Sequence, residues 1–115
     1  MNGIIFFATK MLDDIIEFYV DTVGCEIWLK QADCIVLKFG NMIFGFCQRD
    51  KVETEGILCF VLNDRDEVDE CYSKLKSIAD NDPKYNEKYN IYHFFASDPE
   101  GRKIEFQSFE HDIIY

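Results

Sequence analysis

The chain predicts an α+β fold of two tandem βαβββ modules. Three observations carry that reading: a strand-helix-strand order that occurs twice, a self-match between the halves, and a tight acidic turn that runs into an alternating strand. Sliding the sequence on itself by 53 positions pairs Gly3 with Gly56, Ile4 with Ile57, Phe7 with Phe60, Asp13 with Asp66, Glu17 with Glu70 and Tyr19 with Tyr72 without a gap. The matches concentrate in one strand-helix unit, as a duplicated module requires. The turn is Ser97-Asp98-Pro99-Glu100-Gly101, followed by Arg102-Lys103-Ile104-Glu105-Phe106, and Gly40-Asn41-Met42-Ile43-Phe44-Gly45-Phe46 is a weaker copy of its tail. Aligning Gly40 with Gly101 puts Ile43 over Ile104 and Phe44 over Glu105.

Each element follows from local pattern. Gly3 to Ala8 is an apolar run of strand length, and Met11 to Val23 carries Leu12, Ile15, Ile16, Tyr19 and Val23 at helical spacing before Gly24 stops it. Glu26 to Lys30, Cys34 to Phe39 and Met42 to Gln48 read as three strands parted by Gln31-Ala32-Asp33 and Gly40-Asn41, both hairpin turns. The second half repeats the order, with Ile57 to Leu62 a strand, Asp66 to Ile78 a helix, and Ile91 to Ala96 and Lys103 to Ser108 strands. Between Ala79 and Asn90 the chain is polar and contains Pro83, so a short edge strand or a loop is expected there. Asp98, Pro99 and Gly101 read as turn chemistry, and the acidic runs near Asp13 and Asp66 as solvated early-turn carboxylates.

At 115 residues the chain fits one domain, 1–115, with module one at 1–50, module two at 55–109 and a short tail at 110–115. A module of about 50 residues buries too little surface to stand alone. The composition is 48% hydrophobic and 16% aromatic, with 11 Phe and 6 Tyr, more large apolar material than a minimal core needs. That excess implies a lined cavity or an oligomer interface. The formal charge of -10 repels phosphate backbones and anionic lipid, and tolerates a cationic ligand. No apolar run approaches the roughly 18 to 20 residues of a membrane span, and the start lacks signal-peptide features, so a cytoplasmic location is expected. The five cysteines Cys25, Cys34, Cys47, Cys59 and Cys71 include no CxxC pair. They read as small reduced core residues, with zinc bound through thiolates disfavoured.

The duplicated module, a helix containing Glu17-Phe18-Tyr19 before Val23-Gly24, and the final Asp98-Pro99-Glu100-Gly101 with Ile104-Glu105 resemble the vicinal oxygen chelate superfamily. That superfamily includes glyoxalase I, extradiol dioxygenases and bleomycin resistance proteins. The resemblance implies that each module's sheet curves to form part of an open cleft. It also implies that metal-dependent members place His, Glu or Gln ligands on the first and last strands of each module. Carried onto this chain, those positions are Ile4, Ile57, Phe44 and Glu105. Only Glu105 has donor chemistry, so the resemblance points to a metal-free branch similar to bleomycin resistance proteins, with no cofactor. His93 and His111 lie at neither kind of position, and His93 reads as a half-buried strand residue.

The expected cleft is therefore apolar and aromatic with one carboxylate. Ile4, Phe6, Phe44, Phe46, Ile57, Cys59 and Glu105 line it, and Trp28, the only tryptophan, is a candidate wall. Glu105 either orients a cationic or hydrogen-bonding ligand and acts as a base, or pairs with Lys103 or Arg102 or faces water. The function expected first is sequestration of an apolar or aromatic, cationic small molecule. The alternative is a lyase or isomerase similar to glyoxalase I, and a third class is a dimer without a ligand. A homodimer is implied by the resemblance, by side-by-side modules or by module exchange.

Overall fold

A computed structural model describes residues 1–114. The elements run β1 (Ile5–Thr9), α1 (Leu12–Glu17), a π-helical turn (Phe18–Val23), β2 (Glu26–Lys30), β3 (Cys34–Phe39), β4 (Met42–Gln48), β5 (Ile57–Val61), α2 (Arg65–Leu75), β6 (Lys84–Asn86), β7 (Ile91–Ser97) and β8 (Lys103–Phe109). This is βαβββ twice. Four strands make one sheet in the order β1-β4-β3-β2, and four make a second in the order β5-β8-β7-β6. In each, the first strand runs parallel to the last and the remaining pairs are antiparallel. The segment without a clear pattern holds the short edge strand β6.

The chain divides into two compact units, residues 1–55 with 99–102, and residues 56–98 with 103 onward. The turn Pro99–Arg102, expected within module two, therefore belongs by its contacts to unit one. Its carboxylate and guanidinium explain why. Glu100 accepts hydrogen bonds from Thr9 Oγ1 at 2.5 Å and from the Lys10 backbone at 3.0 Å. Arg102, 1% exposed, donates to the carbonyls of Glu53 at 2.9 Å and Ala8 at 3.3 Å and lies over the rings of Phe7 and Phe46. A buried cation needs such a set of acceptors to offset its lost hydration.

In unit one, Ile15, Ile16 and Tyr19 pack on Leu37, Phe44 and Phe46, all buried. The Tyr19 ring stacks on Phe46 at 5.2 Å and meets Phe44 edge-on at 5.6 Å. The helix ends where expected: Gly24, at φ 97°, takes the left-handed conformation, and its N–H bonds back to Tyr19 O at 3.0 Å. In unit two, Val68 and Leu75 from α2 cover Phe60, Phe94 and Phe106, whose rings stack at 5.2 Å spacing. Asp64 caps α2 by accepting from Glu67 N at 2.9 Å.

Two cysteines depart from the reduced state expected of all five. Cys34 and Cys47 face each other across β3 and β4 with their Cα atoms 4.0 Å apart and form a disulfide, leaving Cys25, Cys59 and Cys71 free. Directly opposed residues on antiparallel strands bring their Cβ atoms close enough to bridge. In the C-terminal tail, Glu110 donates its N–H to Asn90 O at 2.9 Å and pairs with Arg65. Tyr115, the last residue of the expected tail, lies outside the described residues. No described helix is long and apolar enough to cross a membrane.

Candidate functional site

The unit-two sheet builds a pocket on the face opposite its helix. Strand register decides which side chains share that face. β5 and β8 pair Ile57 with Lys103, Cys59 with Glu105 and Val61 with Gln107. β7 and β8 pair Ile91 with Phe109, His93 with Gln107 and Phe95 with Glu105. Paired residues point the same way, so Cys59, His93, Phe95, Glu105, Gln107 and Phe109 form one surface. Phe60, Phe94 and Phe106, one residue out of step, form the buried surface beneath α2. A cavity of about 500 Å³ opens there, lined by Asn86, Tyr89, Ile91, His93, Phe95, Glu105, Gln107 and Phe109.

Its polar centre is a dyad. His93 Nδ1 lies 2.7 Å from Glu105 Oε2, and the two side chains keep only 12% and 14% of their surface exposed. A neutral imidazole donating from Nδ1 to the carboxylate has its tautomer fixed, with Nε2 left as the acceptor. Beside the dyad, Gln107 Nε2 is 2.9 Å from Cys59 Sγ. Burial, and after it the charge of Glu105, pushes the Cys59 thiol up to about 12. Cys59, which shares the face but does not line the cavity, is therefore protonated near neutral pH and not a ready nucleophile.

Glu105 thus has the partner that the sequence did not propose for it. Lys103 pairs with Asp80 and Arg102 is held in unit one, so neither neutralises Glu105. His93 is half-buried, as its pattern implied, and stands in the site as well.

Unit one corrects a further expectation. β1 and β4 pair Phe6 with Gly45, Ile5 with Phe44 and Phe7 with Phe46. Phe44 and Phe46 are both wholly buried against Tyr19, so they belong to the core and do not share a face with Phe6. Matching the two sheets by register instead of by the turn glycines puts Gly45, not Phe44, at the place of Glu105. A slip of one residue exchanges the two faces of a strand. A Cβ on Gly45 would stand 2.8 Å from Phe6 Cε1, so the Phe6 ring fills the space a side chain at 45 would occupy.

Of the other expected residues, Ile4, Phe6 and Ile57 are 37%, 44% and 55% exposed, and none of them lines the 500 Å³ cavity. Trp28 lies on the edge strand β2, at a bulge between Ile27 and Leu29. The donor set does not fit the divalent metal that the resemblance implies for other members: Ile4, Ile57 and Gly45 have no side-chain donor atom. Among the described residues no group of three or more His, Cys, Asp or Glu converges, and a divalent ion held by protein needs about three such donors.

No protein-family model matches the chain, and no curated protein matches it. Solved structures match it along nearly its whole length. A lactoylglutathione lyase from Agrobacterium tumefaciens is 20% identical with a TM-score of 0.74, over 94% of this chain and 92% of that one. A glyoxalase/bleomycin resistance protein/dioxygenase from Alicyclobacillus acidocaldarius is 23% identical with a TM-score of 0.73, over 97% and 93%. A family enzyme of the same description from Burkholderia phytofirmans is 15% identical with a TM-score of 0.78, over 91% and 95%. The class defined by two βαβββ units is the glyoxalase/bleomycin resistance fold. That is the architecture of the vicinal oxygen chelate superfamily, which the Asp98-to-Glu105 segment and the repeated module resemble.

Proposed function

We propose that this chain is a small-molecule binding protein that holds an apolar or aromatic, cationic ligand in the unit-two pocket without a divalent metal. The observation that carries the reading is the pocket's make-up: Glu105 at its base and the rings of Tyr89, Phe95 and Phe109 around it. A carboxylate combined with aromatic faces attracts an organic cation by charge and by cation–π contact while the walls bury its apolar part. The overall charge of -10 favours the same partner at long range. A cytoplasmic location belongs to the proposal.

The test is calorimetric titration with phenyltrimethylammonium and with benzoate. The cation is expected to bind and benzoate not to, with Glu105→Gln weakening the cation by about tenfold or more, in line with the loss of a half-buried charged partner. A cation that does not bind, or that binds equally well to Glu105→Gln, overturns the reading. Stoichiometric metal found by mass spectrometry in protein purified without chelator overturns its metal-free part.

A second reading, a lyase or isomerase similar to glyoxalase I, is favoured by the His93 to Glu105 hydrogen bond. A carboxylate that orients an imidazole leaves Nε2 positioned to take and return a proton, which is general base chemistry. Turnover of lactoylglutathione by the chelator-treated protein, lost in both His93→Gln and Glu105→Gln, would put this reading first.

A further inference from the structure

Part of the unit-two pocket wall comes from one hairpin: Asn86 ends β6, Tyr89 lies in the turn after it, and Ile91 begins β7. β6 is three residues long and, among the described residues, pairs with β7 alone. Tyr89 is 59% exposed. A ring in the turn of an edge hairpin is held by little of the sheet, so whether it stays in the wall depends on what fixes that turn.

The fixing comes from the opposite face of the sheet. Tyr85 pairs with Tyr92, and Tyr92 with Ser108, which is buried on the side that α2 covers. There the Arg65 guanidinium lies 5.6 Å from the centre of the Tyr85 ring and 4.6 Å from that of Tyr92, both within cation–π reach. Arg65 also pairs with Glu110. Glu110 donates its backbone N–H to Asn90 O at 2.9 Å, and Tyr85 Oη donates to Asn90 Oδ1 at 2.6 Å. Arg65, Tyr85, Asn90 and Glu110 therefore close a circuit in which each touches the next. An isolated exposed ion pair contributes little, whereas one built into a network holds its partners in place.

Chain connectivity carries the circuit to the pocket. Asn90 lies between Tyr89 and Ile91, and Glu110 follows Phe109, so two of its members are bonded directly to residues that line the cavity. Asn90 is also the one described non-glycine residue with a positive φ, 54°. Asn and Asp tolerate that left-handed conformation better than other side chains do. One residue thus both turns the chain beside Tyr89 and accepts the Tyr85 hydroxyl.

Building on the ligand reading of this pocket, we propose that Arg65 and Asn90 are positioning residues for it. Neither lines the cavity. Asn90 holds Tyr89 in the wall, and Arg65 holds the hairpin through Tyr85 and the end of β8 through Glu110, next to Phe109. Walls set before the ligand arrives spare binding the cost of ordering them.

The test joins hydrogen exchange of the free protein to calorimetric titration with phenyltrimethylammonium. Arg65→Met keeps the stem and removes the guanidinium, Asn90→Gly keeps the left-handed turn and removes the acceptor, and Asn90→Asp keeps both turn and acceptor. The amides of Tyr89 and Glu110 are hydrogen-bonded, to Asn86 Oδ1 at 3.2 Å and to Asn90 O at 2.9 Å. In Arg65→Met and Asn90→Gly they should exchange about tenfold faster, with the amides of Phe94 and Phe106 unchanged. Both variants should weaken the cation by about fivefold, while Asn90→Asp binds no more weakly than the unmodified chain. A general loss of structure would not depend on one ring, so the deciding background is Tyr89→Ala, where Asn90→Gly should weaken the cation no further. Unchanged exchange at Tyr89 and Glu110 overturns the circuit whatever the cation does. Faster exchange at unchanged affinity, or an Asn90→Gly loss that persists in Tyr89→Ala, overturns the positioning role and leaves the ligand reading standing. An unmodified chain that binds no cation overturns the ligand reading and the proposal with it.

Discussion

On the β1–β4 pair of unit one, the Phe6 ring lies across Gly45; on the matching β5–β8 pair of unit two stand Cys59 and Glu105. The strand order and the parallel first-to-last pairing are the same in both sheets. What differs is the size of the residue on the first strand. A phenylalanine on β1 needs a glycine opposite it, and the pair makes an apolar surface. A cysteine on β5 leaves room for a glutamate, which then finds His93 on the next strand at 2.7 Å. One duplicated frame therefore carries a filled face in one copy and a polar pocket in the other. A single exchange of volume between paired positions decides which.

The largest effect that would sharpen this contrast comes from Arg102. Its guanidinium is buried in unit one, and unit two has no buried cation among its described residues. Arg102→Ala removes the buried cation from Glu100, which keeps its bonds from Thr9 and Lys10, and one donor from the carbonyls of Ala8 and Glu53, and should cost about 3 to 5 kcal/mol in urea unfolding. Hydrogen exchange of the variant should rise first over β1 and β4. A rise that begins over β5 and β8 would break the assignment of the turn to unit one.

Next in size is the chemistry of Cys59. Its thiol is held up to about 12 by burial first and by Glu105 second. Protonation leaves about a thousandth of the thiolate that an unshifted thiol near 9 would have, and higher intrinsic nucleophilicity recovers part of that. Alkylation of Cys59 by iodoacetamide at pH 8 should therefore run roughly fiftyfold slower than that of an ordinary exposed thiol. The rate should rise with each pH unit until the pH reaches about 12. Glu105→Gln removes one of the causes that raise the value, so it should speed labelling of Cys59 severalfold and leave Cys25 unchanged. Peptide mass spectrometry reads both sites at once. Equal acceleration at Cys25 would mean that the variant loosened the fold instead of removing a neighbouring charge.

Much of the frame was legible because strand and helix signals are local. Glu26–Lys30, Cys34–Phe39 and Met42–Gln48 fall where alternation and turn residues placed them. β6 was ambiguous because three residues among polar neighbours carry no periodic signal. The site was legible only in part, because facing depends on register between strands, which sequence patterns constrain weakly. Matching Gly40 to Gly101 is off by one against the observed pairing, and that slip carried Phe44 and Phe46 onto the wrong face. His93 was recoverable: the hairpin around Glu100 pairs Ser97 with Lys103, and counting outward brings His93 opposite Gln107 and Phe95 opposite Glu105. Glu105 itself stood out in the sequence because it was the one donor at its aligned positions. The disulfide was recoverable in the same way: the two-residue turn Gly40-Asn41 sets Phe39 opposite Met42, and counting outward brings Cys34 opposite Cys47.

The smallest effect tests the exchange of volume itself. Gly45→Ala puts a methyl 2.8 Å from Phe6 Cε1 and 3.2 Å from Ile35 O. The backbone oxygen cannot move far, but the Phe6 ring is 44% exposed and can swing outward. The cost should therefore be modest, about 1 kcal/mol, made up of the ring's lost contact and a small shift at Ile35. Phe6→Ala alone loses a half-exposed ring, also about 1 kcal/mol. In the double variant the methyl has no ring to displace, so its cost should fall below the sum of the two by roughly 0.5 kcal/mol or more, as expected of touching residues. Strict additivity in urea unfolding would mean that the ring does not rest on Gly45. The comparison between a filled unit-one face and an open unit-two pocket would then need a different cause.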